Sequence, residues 1–210
     1  MIKNILITEK QYQLKNMKNK TKTVKRWKFI HKGMVSKNGN QKWTIGKWVK
    51  VNGELAMCSN GLHCSKEPYD AFSYVQGEIL ALVECKGKHL SEDNKECWEE
   101  QRVIKAYKWT KKDSLRLAIY SAELCLGNFE KKYPKDKSPR LAIEAAKRVL
   151  VKDTKENRDA ARSAESAAES AAESAAWSAA ESAAESAESA RSAAISKIQK
   201  YFMKIVKEKL

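Results

Sequence analysis

The sequence predicts an α+β protein, with a small mixed, mainly antiparallel N-terminal domain followed by an all-α, Ala-rich helical bundle. Three observations carry that prediction. As far as Trp109 the apolar residues come in short strand-length runs broken by Gly and Asn-Gly pairs. Beyond Asp113 they recur at helical spacing. Between Ala160 and Ala194 the chain is a Ser-Ala-Glu tract without Gly or Pro, dominated by the strongest helix former. These shifts divide the 210 residues into a basic N-terminal strand or arm (1–28), a small α+β domain (29–112) and an Ala-rich helical domain (113–210).

In chain order, Ile2, Ile5, Leu6 and Ile7 make a short apolar opening, read as an edge strand. Lys10 to Arg26 carries seven basic residues and reads as a frayed helix or mobile arm able to contact phosphates. Trp27 and Phe29 follow it. Either they alternate with Val35 as core residues of a first strand, which the spacing favours, or Trp27 stacks on bases beside the basic run. Residues 38–54 read as a hairpin region. Turns are expected at Asn38-Gly39-Asn40 and Asn52-Gly53, with strand-like runs at Trp43 and Ile45 and at Trp48, Val49 and Val51. Leu55 to Cys58 is expected as a short strand.

Asn60 to Gly87 is the most informative stretch. Ser65 is the expected N-cap of a helix with Pro68 in its first turn. Pro68, Ala71, Phe72 and Val75 fall on one apolar helical face, and Gly77 is the stop signal. Ile79 to Val83 is an unbroken apolar run, expected as a strand covered on both sides. The chain is then acidic and polar through Glu100. Strand character returns at Val103, Ile104, Ala106, Tyr107 and Trp109.

The helical part opens with Leu115 to Leu126, capped by Asp113 or Ser114 and stopped by Gly127. A polar loop around Pro134 and Pro139 restarts a helix from Arg140 to Leu150, and Asp153 or Thr154 caps a last long one. Within its tract a marked residue recurs every four positions, at Glu165, Glu169, Glu173, Trp177, Glu181 and Glu185. Four residues advance about 400°, so the slot drifts by about 40° per repeat. It turns toward a partner helix midway, where Trp177 supplies packing area that Ala cannot. Ile195, Ile198, Phe202, Ile205 and Val206 then form an apolar face expected to dock on the preceding helices.

Composition excludes some functions and points to others. No run of about 18 apolar residues exists, so no membrane span is expected, and the opening segment is too short for a signal peptide. The reading is a soluble protein of the cytoplasm. Five cysteines without CxxC spacing read as reduced thiols, and no metal site is expected. There is no phosphate-binding glycine loop of the GxxxxGK[ST] or GxGxxG kind. The formal charge of +15 is uneven: +13 over residues 1–50, −6 over 51–100, +8 over 101–150 and zero over the rest. That asymmetry points to an acidic partner such as RNA, a nucleotide or a ribonucleoprotein. The expected phosphate contacts are Lys20, Lys22, Lys25, Arg26 and Lys28, with Trp27 for stacking.

Two resemblances add to this reading. Gly61-Leu62-His63-Cys64-Ser65, with Ala71, Tyr74 and the strand after it, is similar to the central motif of ADP-ribosyltransferases. That resemblance implies NAD as cofactor, with His31, His63, Tyr74 and Glu100 (or its neighbour Glu99) as site residues. More extensively, residues 45–87 with ECWEEQRVIKA after them resemble an N-terminal module of phage and prophage proteins. Gly46-Lys47, Cys58, Gly61-Leu62-His63, Pro68, Tyr74 and Gly87 carry the likeness. LRLAIYSAELCLGNFEKKYPKDKSPRLAIEAAKRVL and the Ala repeats resemble a helical immunity-protein-like family. Neither of these two families brings a catalytic residue or a cofactor. The expectation is a non-enzymatic phage-type inhibitor, of the anti-CRISPR kind, acting on a host defence or nucleic-acid-processing component. An NAD-using transferase and an oligomerisation module built on the Ala-rich helices are the alternatives.

Overall fold

The computed structural model describes residues 23–163 and 184–210. The expected opening strand, Lys20, Lys22 and Trp177 lie outside the described residues, as does most of the Ser-Ala-Glu tract. The chain divides into two units between Tyr107 and Lys108. An antiparallel sheet comes first and helices follow, so the fold is α+β.

The sheet is built on one long hairpin. Strand β4 (Ile79–Glu92) and strand β5 (Lys95–Lys108), 14 residues each, are joined through Asp93 and Asn94. Asp93 takes the left-handed conformation, with φ 48°, that a tight turn requires and that Asp tolerates. Strand β1 (Val24–Ile30) runs antiparallel to β4, with Val24 opposite Cys85 and Ile30 opposite Ile79. Strand β2 (Val49–Lys50) and strand β3 (Leu62–Cys64) pair successively along β5. Just past β3, Ser65 exchanges both backbone hydrogen bonds with Trp27 of β1, each 2.9 Å. This last pair closes the ring β1–β4–β5–β3 back onto β1. Inside lie Ile30, Leu62, Cys64, Ala81, Val83, Cys85, Trp98 and Val103, with Trp43 from a loop.

Helix α1 (Pro68–Tyr74) packs on the other side of β1, where Phe72 meets Phe29 edge-on at 5.3 Å. Pro68 and Ala71 are buried on the expected face. Ser65 is not the cap: Glu67 holds that position without a side-chain cap bond, because Ser65 is committed to the ring closure. Gly77 is needed for close approach more than as a stop signal. A Cβ there would collide with the Ile30 carbonyl.

Three strand assignments change. The run at Ile79–Val83 extends to Glu92, and the polar stretch after Gly87 belongs to the hairpin. Trp43 and Ile45 lie outside any named strand; Trp43 is buried and its indole N–H donates to the Ser36 hydroxyl at 2.8 Å. Residues 55–58 enter a turn closed by the Ala56–Asn60 bridge.

In the second unit, helix α2 (Lys111–Lys132) starts at a full capping box between Thr110 and Asp113. It passes the expected stop at Gly127. A helix tolerates one glycine at a cost of about 1 kcal/mol, and this one has turns on both sides to hold it. Helix α3 (Ser138–Val151) starts with Pro139 in its first turn. Residues 155–163 are helical (α4), and the Thr154 hydroxyl accepts the Asn157 N–H at 3.2 Å. Helix α5 (Ala184–Lys207) and α3 both pack on α2. Phe202, Ile205 and Val206 are fully buried, Trp109 stacks on Phe202 at 4.8 Å, and Tyr120 stacks on Tyr201 at 4.1 Å. The docking face weakens upstream, where Ile195 is 38% exposed. Among the described residues no helix is long and apolar enough to cross a membrane.

Two glycines give opposite predictions. Gly77→Ala forces backbone away from Ile30 and is expected to destabilise the first unit by roughly 1–3 kcal/mol. Gly127→Ala adds a methyl in open space within a helix and is expected to stabilise the second by up to about 1 kcal/mol. Urea unfolding followed unit by unit checks both signs.

Candidate functional site

Side chains alternate along a strand, so Val24, Arg26, Lys28 and Ile30 share the face of β1 that points into the ring. The same face receives Cys64 and Leu62 from β3, Ala81, Val83 and Cys85 from β4, and Glu96 and Trp98 from β5. Two cations therefore enter a core of apolar groups and thiols. They are treated differently.

Arg26 is neutralised. Its guanidinium makes a two-pronged contact with the buried Glu96 carboxylate, at 2.7 and 3.0 Å, and the Trp98 indole donates to the same carboxylate at 2.7 Å. Burial opposes the Glu96 charge, but the Arg26 and Trp98 hydrogen bonds outweigh it and hold the carboxyl below its ordinary range. Arg26 is in turn raised, mainly by that hydrogen bond.

Lys28 has no such partner: among the described residues, no carboxylate pairs with it. Its ammonium sits 4.3 Å from the centroid of the Trp43 ring, a cation–π contact. Burial pushes it down to about 8, and the thiols of Cys64, Cys85 and Cys97 oppose the shift only in part. Cys64 and Cys85 face each other with sulfurs 3.8 Å apart, and burial raises Cys64 well above the usual thiol range. All five cysteines are free.

Lys28 opens onto a cavity of about 530 Å³. Trp27–Ser65 is the single backbone pair between β1 and the β3 segment, and the cavity lies where the two part, between Lys28 on one side and His63 on the other. Lys37, Cys58, Tyr74 and Lys95 are among its other polar lining residues. Among the described residues no Asp or Glu lines it. His63 lies on the opposite face of β3 from Cys64, and its Nε2 accepts the Cys58 N–H at 3.0 Å. Burial, then the charges of Lys28 and Lys95, lower its pKa, so it serves as a neutral acceptor that fixes the 58–61 loop. Cys58 takes φ 63°, and its sulfur lies 3.1 Å from the Lys95 ammonium, which that contact raises. Gly61 closes the loop with φ 144°, where a Cβ would overlap the Cys97 sulfur.

The site residues expected from the sequence are dispersed. Lys25 is exposed on the outer face of β1. Arg26, expected to contact phosphate, is consumed by Glu96, and the whole segment from Val24 is strand rather than arm. Trp27 is partly buried and holds the ring closure through its backbone. Lys28 joins an inward position with an open side, and Trp27 also lines the cavity. Of the transferase set, His63 and Tyr74 line the cavity, whereas His31 and Glu100 do not. His31 contacts Glu78 at 3.3 Å, and Glu100 pairs with Lys86 at 3.0 Å and Lys50 at 3.5 Å. The four are not assembled into one site. Glu99 is likewise committed, to Lys50 and to the Lys88 N–H. Cys58, Lys37 and Lys95 were missed, because only the fold of the 58–61 loop, the 36–41 turn and the Asp93 turn brings them to the cavity. Among the described residues no group of His, Cys, Asp and Glu is placed to hold a metal.

The ring, its cap helix and the cavity define a β module with a basic pocket, in which Lys95 pairs with Glu92 at 3.7 Å and Lys28 has no carboxylate partner among the described residues. Residues 24–113 match the family model described as a domain of unknown function, DUF7666. The match starts at the first residue of β1 and ends at the Asp113 of the α2 capping box. Searches of the curated proteins and of the solved structures returned no match.

A buried cation without a counter-ion lowers stability, and replacing it with an apolar side chain of similar volume removes the penalty. Lys28→Met is therefore expected to raise the stability of the first unit, by roughly 1–4 kcal/mol. The sign of the pH dependence follows. Lys28 is harder to protonate folded than unfolded, so its penalty is full below about 8 and fades as pH rises toward the ordinary lysine value near 10.5. Native stability relative to Lys28→Met should rise over that window, as read from urea midpoints at pH 7, 9 and 10.5.

Proposed function

We propose that this is a non-enzymatic binding protein whose N-terminal unit engages a phosphate-bearing partner, nucleotide or RNA, through the Lys28 cavity. The observation that carries the reading is the lining: Lys28, Lys37 and Lys95 with no carboxylate, Lys28 being unpaired by any acid among the described residues. A cation held in such a place at a cost to stability is supported by a use in binding. A phosphate would replace the hydration that burial removes and restore Lys28 to its charged form. The strongly basic first fifty residues would attract an acidic partner to the chain. Together with the phage-type resemblance, this favours a cytoplasmic inhibitor in a host cell, directed at a nucleic-acid-processing or defence ribonucleoprotein. The NAD-transferase alternative is weakened because Glu100 and His31 are committed to other partners.

The test is fluorescence anisotropy with a labelled single-stranded oligoribonucleotide across a salt series. Lys28→Met should weaken binding at least tenfold while the protein stays folded, and Lys25→Glu on the outer face should mainly reduce the salt slope. Equal affinity of the native and Lys28→Met proteins would remove the cavity from the account.

A further inference from the structure

We infer that the cavity takes a terminal phosphate monoester, as on a mononucleotide or the 5′ end of an RNA strand, and excludes the internal diester. The inference rests on the phosphate-binding reading above and narrows it. Three features of the site lead to it. The cavity, about 530 Å³, falls in the size range of small-ligand sites and holds one nucleotide, not a folded or double-stranded polymer. Lys28 projects into the ring from β1, so its ammonium is reached by a group that protrudes from its carrier. A terminal phosphate protrudes, whereas a diester phosphorus is flanked by two sugars that would have to enter with it. Charge is the third feature. A monoester carries about −1.5 to −2 near neutrality, against −1 for a diester; the lining offers three lysines and, among the described residues, no acid, with Glu92 just outside it 3.7 Å from the Lys95 ammonium.

Around Lys28 the titratable groups are Cys64 and His63 from β3, Cys85 from β4 and Cys97 from β5, with Lys37, Cys58, Tyr74 and Lys95 also lining the cavity. His63 is held as a neutral acceptor by the Cys58 N–H, and burial keeps Cys64 and Cys97 protonated. Two ionisations at the contact between the phosphate and Lys28 then shape binding. The ligand's second ionisation, near 6, gives a rising limb on the acid side. Loss of the Lys28 proton above about 8 gives a falling limb on the alkaline side.

The experiment is isothermal titration of the full chain with AMP, adenosine and the dinucleoside monophosphate ApA at pH 5, 6, 7, 8 and 9. A matched pair of 5′-phosphorylated and 5′-hydroxyl oligoribonucleotides is added at pH 7. AMP is expected to bind, with affinity rising up to tenfold per unit below about pH 6 and falling toward that slope above about pH 8. Adenosine and ApA should bind at least thirtyfold more weakly. Lys28→Met should abolish AMP binding with its melting transition intact, and Lys95→Gln should weaken it several-fold. Binding of AMP alone assigns a free nucleotide; preference for the 5′-phosphorylated strand over AMP assigns an RNA end. Equal binding of ApA with AMP, or of the two strands, overturns the monoester inference and leaves phosphate binding standing. Absence of binding by every probe overturns both.

Discussion

The structure of the first unit depends on one backbone pair. Trp27 and Ser65 exchange two hydrogen bonds and so join the first strand to the last-placed edge of a sheet that would otherwise stay open. An open sheet would leave β1 and β3 as edges with unpaired backbone groups. Closure satisfies them at that point, and it obliges the inner face of β1 to face β3 and β5 across a small interior. The pair is also a single one. Because β1 and β3 part next to it, the ring has a gap, and the cavity is that gap.

From this constraint comes the contrast between Arg26 and Lys28, two residues apart on one face. Deeper pairing is available to Arg26 because Glu96 stands opposite Cys64 in the β3–β5 register and reaches it with both oxygens. The planar fork of a guanidinium suits a carboxylate, and the Trp98 indole donates a third hydrogen bond to it. Lys28 meets thiols and an indole face, groups that accept a cation poorly. Thiols kept neutral by burial add little countercharge, so the field at the cavity floor stays positive. Lys95 adds to it from the start of β5 and Lys37 from a loop. The same residues that close the fold therefore leave a charge for a ligand to complete.

Much of the architecture was legible in the sequence. The α+β division, the helix at Pro68, the buried run from Ile79 and the docking face at Phe202, Ile205 and Val206 all follow from periodicity, which local chemistry controls. The hairpin's outer half was not legible. Residues 87–94 are exposed on both faces, so their hydrophobicity carries no period-two signal, and only the Asp93-Asn94 turn marks them. Ser65 misled because a serine before a Pro-started helix resembles a cap, whereas tertiary pairing took it for the sheet. For the site, the basic cluster at 25–28 was visible but its meaning was not. A run of Lys and Arg reads as one solvated surface, and strand alternation splits it into an outward Lys25, a neutralised Arg26 and an inward Lys28. Lys95 and Cys58 came from distant segments, and no spacing rule links them to Lys28.

The central claim is that Lys28 is a half-buried cation without a carboxylate partner, held in wait for an anion. The most direct measurement is an NMR pH titration of lysine side chains carrying a ¹³C label, with Lys28 assigned by its loss in Lys28→Met. One lysine is expected to titrate at about 8 in the free protein and to move upward when a saturating phosphate ligand is present. A Lys28 signal that titrates with the exposed lysines near 10.5, unmoved by ligand, would contradict the account.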